Sequence, residues 1–138
     1  MNIHAEASFA VTAWDEKTWD GQPANTIQGE KLTHARVSYT YSGDLSGQSR
    51  FEYLMTYRSD NSGVFVGLEH IEGSLLGRAG SLVLEHSGVF DATSVRGKAV
   101  VVLGSGSGEL QGLSGYGRIE LTGHLAQYPI SFEFELES

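Results

Sequence analysis

The chain has 138 residues, room for one hydrophobic core and not two, so residues 1–138 are expected to form one domain. Nine Lys and Arg against 17 Asp and Glu leave a formal charge of −8, which argues against binding through nucleic-acid phosphates, and the lack of cysteine excludes disulfides, iron–sulfur clusters, thiolate zinc sites and a cysteine nucleophile. No apolar run approaches the roughly 18 residues of a membrane span, and the N-terminal Met-Asn-Ile-His-Ala-Glu-Ala-Ser-Phe lacks the basic-then-apolar order of an export signal, so a soluble cytoplasmic protein with no membrane or nucleic-acid partner is expected.

Alternation of apolar and polar residues dominates from the first element onward. Phe9, Val11 and Ala13 alternate with Ser8, Ala10 and Thr12, which predicts a strand over 3–14. Residues 20–30 carry Gly21, Pro23, Asn25 and Gly29 and read as a loop, or at most a short helical turn. Ala35, Val37, Tyr39 and Tyr41 alternate with His34, Arg36, Ser38 and Thr40 in a strand over 32–43. Five more strand-sized units follow at 48–58, 63–75, 79–91, 95–104 and 115–124. The last, 127–137, alternates Tyr128, Ile130, Phe132, Phe134 and Leu136 with Pro129, Ser131, Glu133 and Glu135. No stretch of ten residues has a good amphipathic helical period.

A weak repeat punctuates these strands. Gly-x-Leu-x-Gly occurs at Gly43–Gly47, Gly73–Gly77 and Gly108–Gly112, with starts 30 and 35 residues apart. A strand of about ten residues with its turn takes roughly 15, so the period fits two strands and two turns. Eight sequential strands without a helix to cover them must hide both their edges and one apolar face. Closure into an all-β, antiparallel up-and-down barrel does both. A two-sheet sandwich is the competitor, but its crossed connections need longer loops than the turns here. Trp14-Asp15 and Trp19-Asp20 look like propeller dipeptides, but the chain is too short for several blades of about 40 residues. Both tryptophans are better placed at a barrel mouth or beside the 20–30 loop.

The segment Gly106-Ser-Gly-Glu-Leu-Gln-Gly-Leu-Ser-Gly115 resembles a glycine-rich signature of plant allene oxide cyclases and dirigent proteins. Nearly the whole chain is similar to a bacterial family of unknown function with an allene-oxide-cyclase-like barrel. The matching stretches are Glu52–Met55, Phe65–Glu69, Gly77–His86 and Gly104–Gly115. These resemblances imply an eight-stranded barrel of calycin-like shape around an apolar cavity, commonly assembled as a trimer. They assign no reaction. The glycine signature is a turn device, and no catalytic carboxylate of the cyclases aligns with a position here.

Two dipeptides, Glu69-His70 and Glu85-His86, sit in strands that should be hairpin neighbours. With Gly77-Arg78 as a two-residue turn, residues whose numbers sum to about 155 lie opposite, which pairs Glu69 with His86 and His70 with Glu85. The Glu69/His86 pair is placed inward, beside Phe65, Gly67, Ile71, Leu82, Leu84 and Phe90. The other face, with Val64, Val66, Leu68, Ser81 and Val83, is also apolar, which leaves the assignment open and hints at a homo-oligomer (dimer or trimer). An apolar lumen with a carboxylate beside an imidazole sets desolvation against ion pairing. It allows acid–base chemistry by Glu69 and His86 with Tyr53, or Tyr57, as donor. Trp14, Tyr57, Phe65, Leu84 and Phe132 are the expected ligand contacts. A polar pair that merely stitches two strands is the plain alternative.

Other chemistries have weaker support. The five histidines, 4, 34, 70, 86 and 124, show no chelating spacing, so no metal and no cofactor are expected. Gly104-Ser-Gly-Ser-Gly108 lacks the Lys-Ser/Thr ending and the helix of a phosphate loop. No serine sits in a nucleophile-elbow context. Three functions follow as expectations: a barrel that binds a small apolar or aromatic molecule, an isomerase or cyclase acting on such a molecule, or a filled, non-catalytic scaffold.

Overall fold

The computed structural model describes residues 1–137, whose backbone alternates between strands and tight turns along almost its whole length. The strands are β1 (Asn2–Thr18), β2 (Lys31–Gly43), β3 (Leu45–Tyr57), β4 (Gly63–Leu75), β5 (Arg78–Phe90), β6 (Ser94–Val101), the two-residue β7 (Ser107–Gly108), β8 (Leu113–Thr122) and β9 (Tyr128–Leu136). Every pairing is antiparallel, each long strand pairs with the next, and β9 returns to β1. The result is a closed, eight-stranded up-and-down barrel with β7 as a short addition along β5. Closure leaves no long unpaired edge. The 20–30 segment is a loop carrying one 3-10 turn, Ala24–Thr26, tied down by Lys31 Nζ donating to Ala24 O at 2.8 Å and Ile27 O at 3.0 Å. Among the described residues no helix is long and apolar enough to cross a membrane.

The β4–β5 turn corrects the expected register. Leu75 pairs with Arg78, so the turn residues are Leu76 and Gly77, not Gly77 and Arg78. Both have positive φ, 49° and 84°, as a type I′ turn requires, and that turn's twist matches the twist of the flanking strands. Opposed residues therefore sum to 153: Glu69 lies opposite Leu84, His86 opposite Gly67, and His70 opposite Val83. The slip is two residues, an even number, so no side chain changes face. Glu69 and His86 are diagonal neighbours inside the barrel, while Glu85 is exposed outside.

A second correction concerns β1. Its pairing with β2 shifts between Val11 and Ala13, and Thr12 is the extra residue. The Thr12 hydroxyl donates to Ser38 O at 3.1 Å. A bulge of one residue inverts the alternation beyond it. Up to Val11 the odd residues share the inner face with Phe9. Beyond the bulge Trp14 and Glu16 take that face, opposite Val37 and Ala35, and Ala13 does not follow Phe9 as its alternation implied.

The Gly-x-Leu-x-Gly repeat does more than turn the chain. Its central leucines, Leu45, Leu75 and Leu110, are all buried at one end of the barrel. Leu45 and Leu75 face each other across β3–β4, and the segment carrying Leu110 runs along β5, with the amide of Glu109 donating to Ala79 O. With Leu82, Leu113 and Leu136 they plug that end. The outer wall keeps an apolar strip, with Leu54 opposite Val66 and Leu68 close by, all about half exposed.

Candidate functional site

The half of the lumen away from the leucine plug is not filled. It holds a cavity of about 770 Å³ that opens between the turns near Asn61, Asp91–Ser94 and Gly123–Ala126. Its shape follows from the inward-facing residues. β1, β2, β3 and β9 contribute rings: Phe9, Tyr39, Tyr41, Tyr53, Tyr57 and Tyr128. β4 and β5 add Phe65 and Phe90, and at the inward positions Gly67, Gly88, Gly97 and Gly117 the missing Cβ atoms make room for the rings of Tyr53, Phe65 and Phe132. Phe9 stacks on Tyr39 at 4.3 Å between centroids, and Phe65 meets Tyr53 edge-on at 5.6 Å.

Glu69 and His86 lie within these aromatic walls, 0% and 2% exposed. Tyr41 Oη donates to Glu69 Oε2 at 2.6 Å, and His86 Nε2 lies 2.7 Å from Glu69 Oε1. Both carboxylate oxygens are thus engaged by groups that β2 and β5 bring to β4. His86 lines the cavity, packed edge-on against Phe51 at 4.9 Å and Tyr53 at 5.8 Å. Gly67 makes this packing possible, since it sits between Tyr53 and His86 on one rung of the sheet. A Cβ there would come within 2.7 Å of Tyr53 Cδ1. His86 Nδ1 is buried and has no hydrogen-bond partner among the described residues. Such an atom is costly unless something else pairs with it.

Burial pushes the Tyr41, Tyr53 and Tyr39 hydroxyls up, and the charge of Glu69 adds to each shift. These phenols therefore stay protonated and act as hydrogen-bond donors, not bases. Nearer the mouth Glu16, turned inward by the bulge, accepts from Thr33 Oγ1 at 2.8 Å and from Tyr57 Oη at 2.5 Å. Burial, and then this bond, raise Tyr57 as well. Lys31 Nζ lies 4.5 Å from the centre of the Tyr57 ring.

Of the residues singled out from sequence, Tyr53 and His86 line the cavity and Glu69 is held by His86. Trp14, Tyr57 and Phe65 line it too. Leu84 and Phe132 do not: Leu84 lies opposite Glu69 and Val101 in the packed core, and Phe132 stacks on Phe134 at 5.0 Å. Sequence reasoning missed Tyr41 and Glu16. Tyr41 was visible only as one more inward residue of β2, 28 positions from Glu69. Glu16 needed the bulge, for which the alternation gave no signal. Among the described residues no group of three or more His, Cys, Asp or Glu is arranged to hold a metal ion. A smaller depression of about 440 Å³, with Thr12, Gln48, Arg50, His70 and Glu72 in its lining, shares only Tyr39 with the main cavity.

Comparison with curated proteins finds no match. A crystal structure of a protein with unknown function from the DUF3224 family, from Shewanella oneidensis MR-1, is similar along 100% of both chains, with a TM-score of 0.81 and 28% identity. The likeness to allene oxide cyclases and dirigent proteins extends to barrel shape and no further. The family model for DUF3224, described as protein of unknown function, matches residues 5–134 and so takes in the bulge, the leucine repeat, Glu69 and His86. The chain belongs to the DUF3224 family.

Proposed function

We propose that the barrel binds a small, largely apolar or aromatic molecule in its open half and isomerises it by moving a proton. One observation carries the reading: the buried Tyr41–Glu69–His86 chain ends on an unpartnered ring nitrogen, His86 Nδ1, in a residue that lines an aromatic cavity. In this reading the proton between them sits on His86 Nε2, Glu69 Oε1 accepts it and Nδ1 is left as the basic atom, the division of labour of a carboxylate–histidine pair. Glu69 is then a positioning residue, because both its oxygens are occupied. His86 takes a proton from one atom of the ligand and returns it to another. The protonated Tyr53, beside the His86 ring, donates a hydrogen bond to the oxygen on which charge develops. The cycle restores every group and needs no co-reactant.

The packing also weighs against a role confined to stitching strands. A stitch is best made with every polar atom paired, and here one is not. The leucine plug shows that this chain fills a barrel end where filling is wanted, yet the other end stays open. Native mass spectrometry of the protein purified from its own cells should find a bound small molecule. Incubated in D2O, the wild-type protein should place deuterium on a carbon of that molecule, and His86→Ala should not. Glu69→Gln should slow the exchange at least about a hundredfold, the low end of what general acid–base catalysis contributes, while retaining the molecule within about tenfold of wild-type affinity. Exchange at the wild-type rate in both variants overturns the proton-transfer reading and leaves a binding barrel.

A further inference from the structure

We propose that the molecule taken up by the cavity is an uncharged hydroxy-aromatic of two or three rings, its hydroxyl donating to Nδ1 of His86. The inference rests on the reading that the open half of the lumen is a ligand site, and adds the chemical class of the ligand.

Charge is the first argument. Among the described residues that line the cavity none is Lys or Arg, and Lys31, beside the Tyr57 ring near the mouth, is held by Ala24 O and Ile27 O. A carboxylate or phosphate carried inside would lose its water with no cation to replace it, close to Glu69, in a protein of formal charge −8. A cation fares little better. Glu69 already accepts from Tyr41 and His86. Asp91, at the rim, has its oxygens held by Thr93 and Ser94 of its own turn. Glu16, near the mouth, has Oε1 held by Trp14 and Oε2 by Thr33 and Tyr57, so among the described residues no unengaged carboxylate oxygen remains inside to take an ammonium group. The occupant is therefore neutral.

The second argument is the direction of the hydrogen bond that His86 Nδ1 leaves unmade. In the tautomer of the proton-transfer reading, with the proton on the Nε2 that faces Glu69 Oε1, Nδ1 accepts. A ligand that pairs with it must bring an O–H or N–H. Shape supplies the third. The lining is aromatic, with Phe9 stacked on Tyr39 at 4.3 Å and on Tyr128 at 5.5 Å, and about 770 Å³ lies within the range of sites that take drug-sized molecules, well beyond a single ring. Stacked aromatic walls favour a flat ligand over a flexible chain.

Four probes of one shape test this: 2-naphthol, 2-methoxynaphthalene, 2-naphthoate and 2-naphthylmethylammonium, titrated calorimetrically into the full chain at pH 7. The naphthol should bind about tenfold or more tighter than the methoxy compound, the effect of one buried hydrogen bond, and tighter than either ion. In His86→Phe, which keeps a ring against Phe51 and Tyr53, the naphthol advantage should disappear. If that variant does not fold, the ¹⁵N resonance of His86 Nδ1 in the wild-type protein gives the same answer. It should move on adding naphthol and stay put on adding the methoxy compound. Equal affinity for naphthol and its methyl ether overturns the donor assignment. Tighter binding of the naphthoate or of the ammonium overturns the neutral class while leaving a ligand site in place. Failure of all four to bind overturns the ligand site itself, and this proposal with it.

Discussion

Replacing Glu69 by Leu removes a carboxylate that accepts from both Tyr41 and His86 while keeping a side chain of similar volume. The cost comes from what is left behind: a buried phenol and a buried imidazole N–H, in a site where Glu69 is 0% exposed, with nothing to accept from them. Hydrogen bonds to a charged group contribute about 1.5–3 kcal/mol each, and breaking a buried pair by deleting one partner costs about 3–5 kcal/mol. The lower end of that range applies if Tyr41 can rotate its hydroxyl toward the cavity. For a chain of this length each kcal/mol moves Tm by about 3–6 °C, so the melting temperature should fall by roughly 10–30 °C. Urea titration followed by tyrosine and tryptophan fluorescence measures the same quantity at 25 °C. The triple variant Tyr41→Phe, Glu69→Leu, His86→Leu leaves no orphaned group and should return to within about 2 kcal/mol of wild type, because apolar replacement of a whole buried polar cluster is often neutral or stabilising. Recovery in the triple variant would show that the fold does not need the network for its stability. A loss below about 1 kcal/mol in Glu69→Leu would refute the argument that these groups are buried and mutually dependent. A triple variant as unstable as the single one would show the network to be a structural stitch.

Three further outcomes follow. Gly67→Ala places a Cβ 2.4 Å from Glu52 O and 2.7 Å from Tyr53 Cδ1; it should cost about 1–3 kcal/mol, as overpacking does, and alter the near-ultraviolet circular dichroism of the tyrosines as Tyr53 leaves His86, so unchanged stability and spectrum would contradict the close approach. The exposed strip of Leu54, Val66 and Leu68 on the outer wall is where the expected self-association would bury apolar surface; dilute-solution scattering should give a dimer or trimer for the wild type and a monomer for Val66→Glu, and a monomeric wild type removes the expectation. On the surface, hydrogen bonds to Glu133 and then Glu6 raise His4 above its ordinary 6.5, while bonds from Ser131 and then His4 lower Glu6 below 4.5. The raised His4 contributes fully below pH 6.5 and loses its contribution as pH rises through its folded midpoint, whereas Glu6 contributes above 4.5 and loses it as pH falls through its own; a His4 midpoint at or below 6.5 by NMR would contradict the contacts.

Alternation alone determined the strands, because a side-chain period of two is a property of the local backbone and needs no partner. It placed Phe132, Phe134 and Leu136 on one face and Glu133 and Glu135 on the other, and eight such segments without a helix left closure as the economical way to hide edges and an apolar face. With a two-residue turn assumed, it also put Glu69 and His86 on a common face, and that survived the misplaced turn because the register error was even. The turn itself was decided elsewhere: both primed turns suit the strand twist, and it is the pairing of Leu75 with Arg78 across β4 and β5 that puts Leu76 and Gly77, both at positive φ, in the turn. Tertiary structure alone supplied the rest. Tyr41 reaches Glu69 only across the curvature of a closed barrel, and one unpaired residue at Thr12 decided that Trp14 and Glu16 face in, an insertion that leaves no mark on hydrophobicity. The three repeat leucines became a plug only once closure brought their turns to the same end. Which end of the lumen is filled, and which stays open above a histidine with a free nitrogen, depends on distances between segments far apart in the chain, and a periodic pattern carries no such distances.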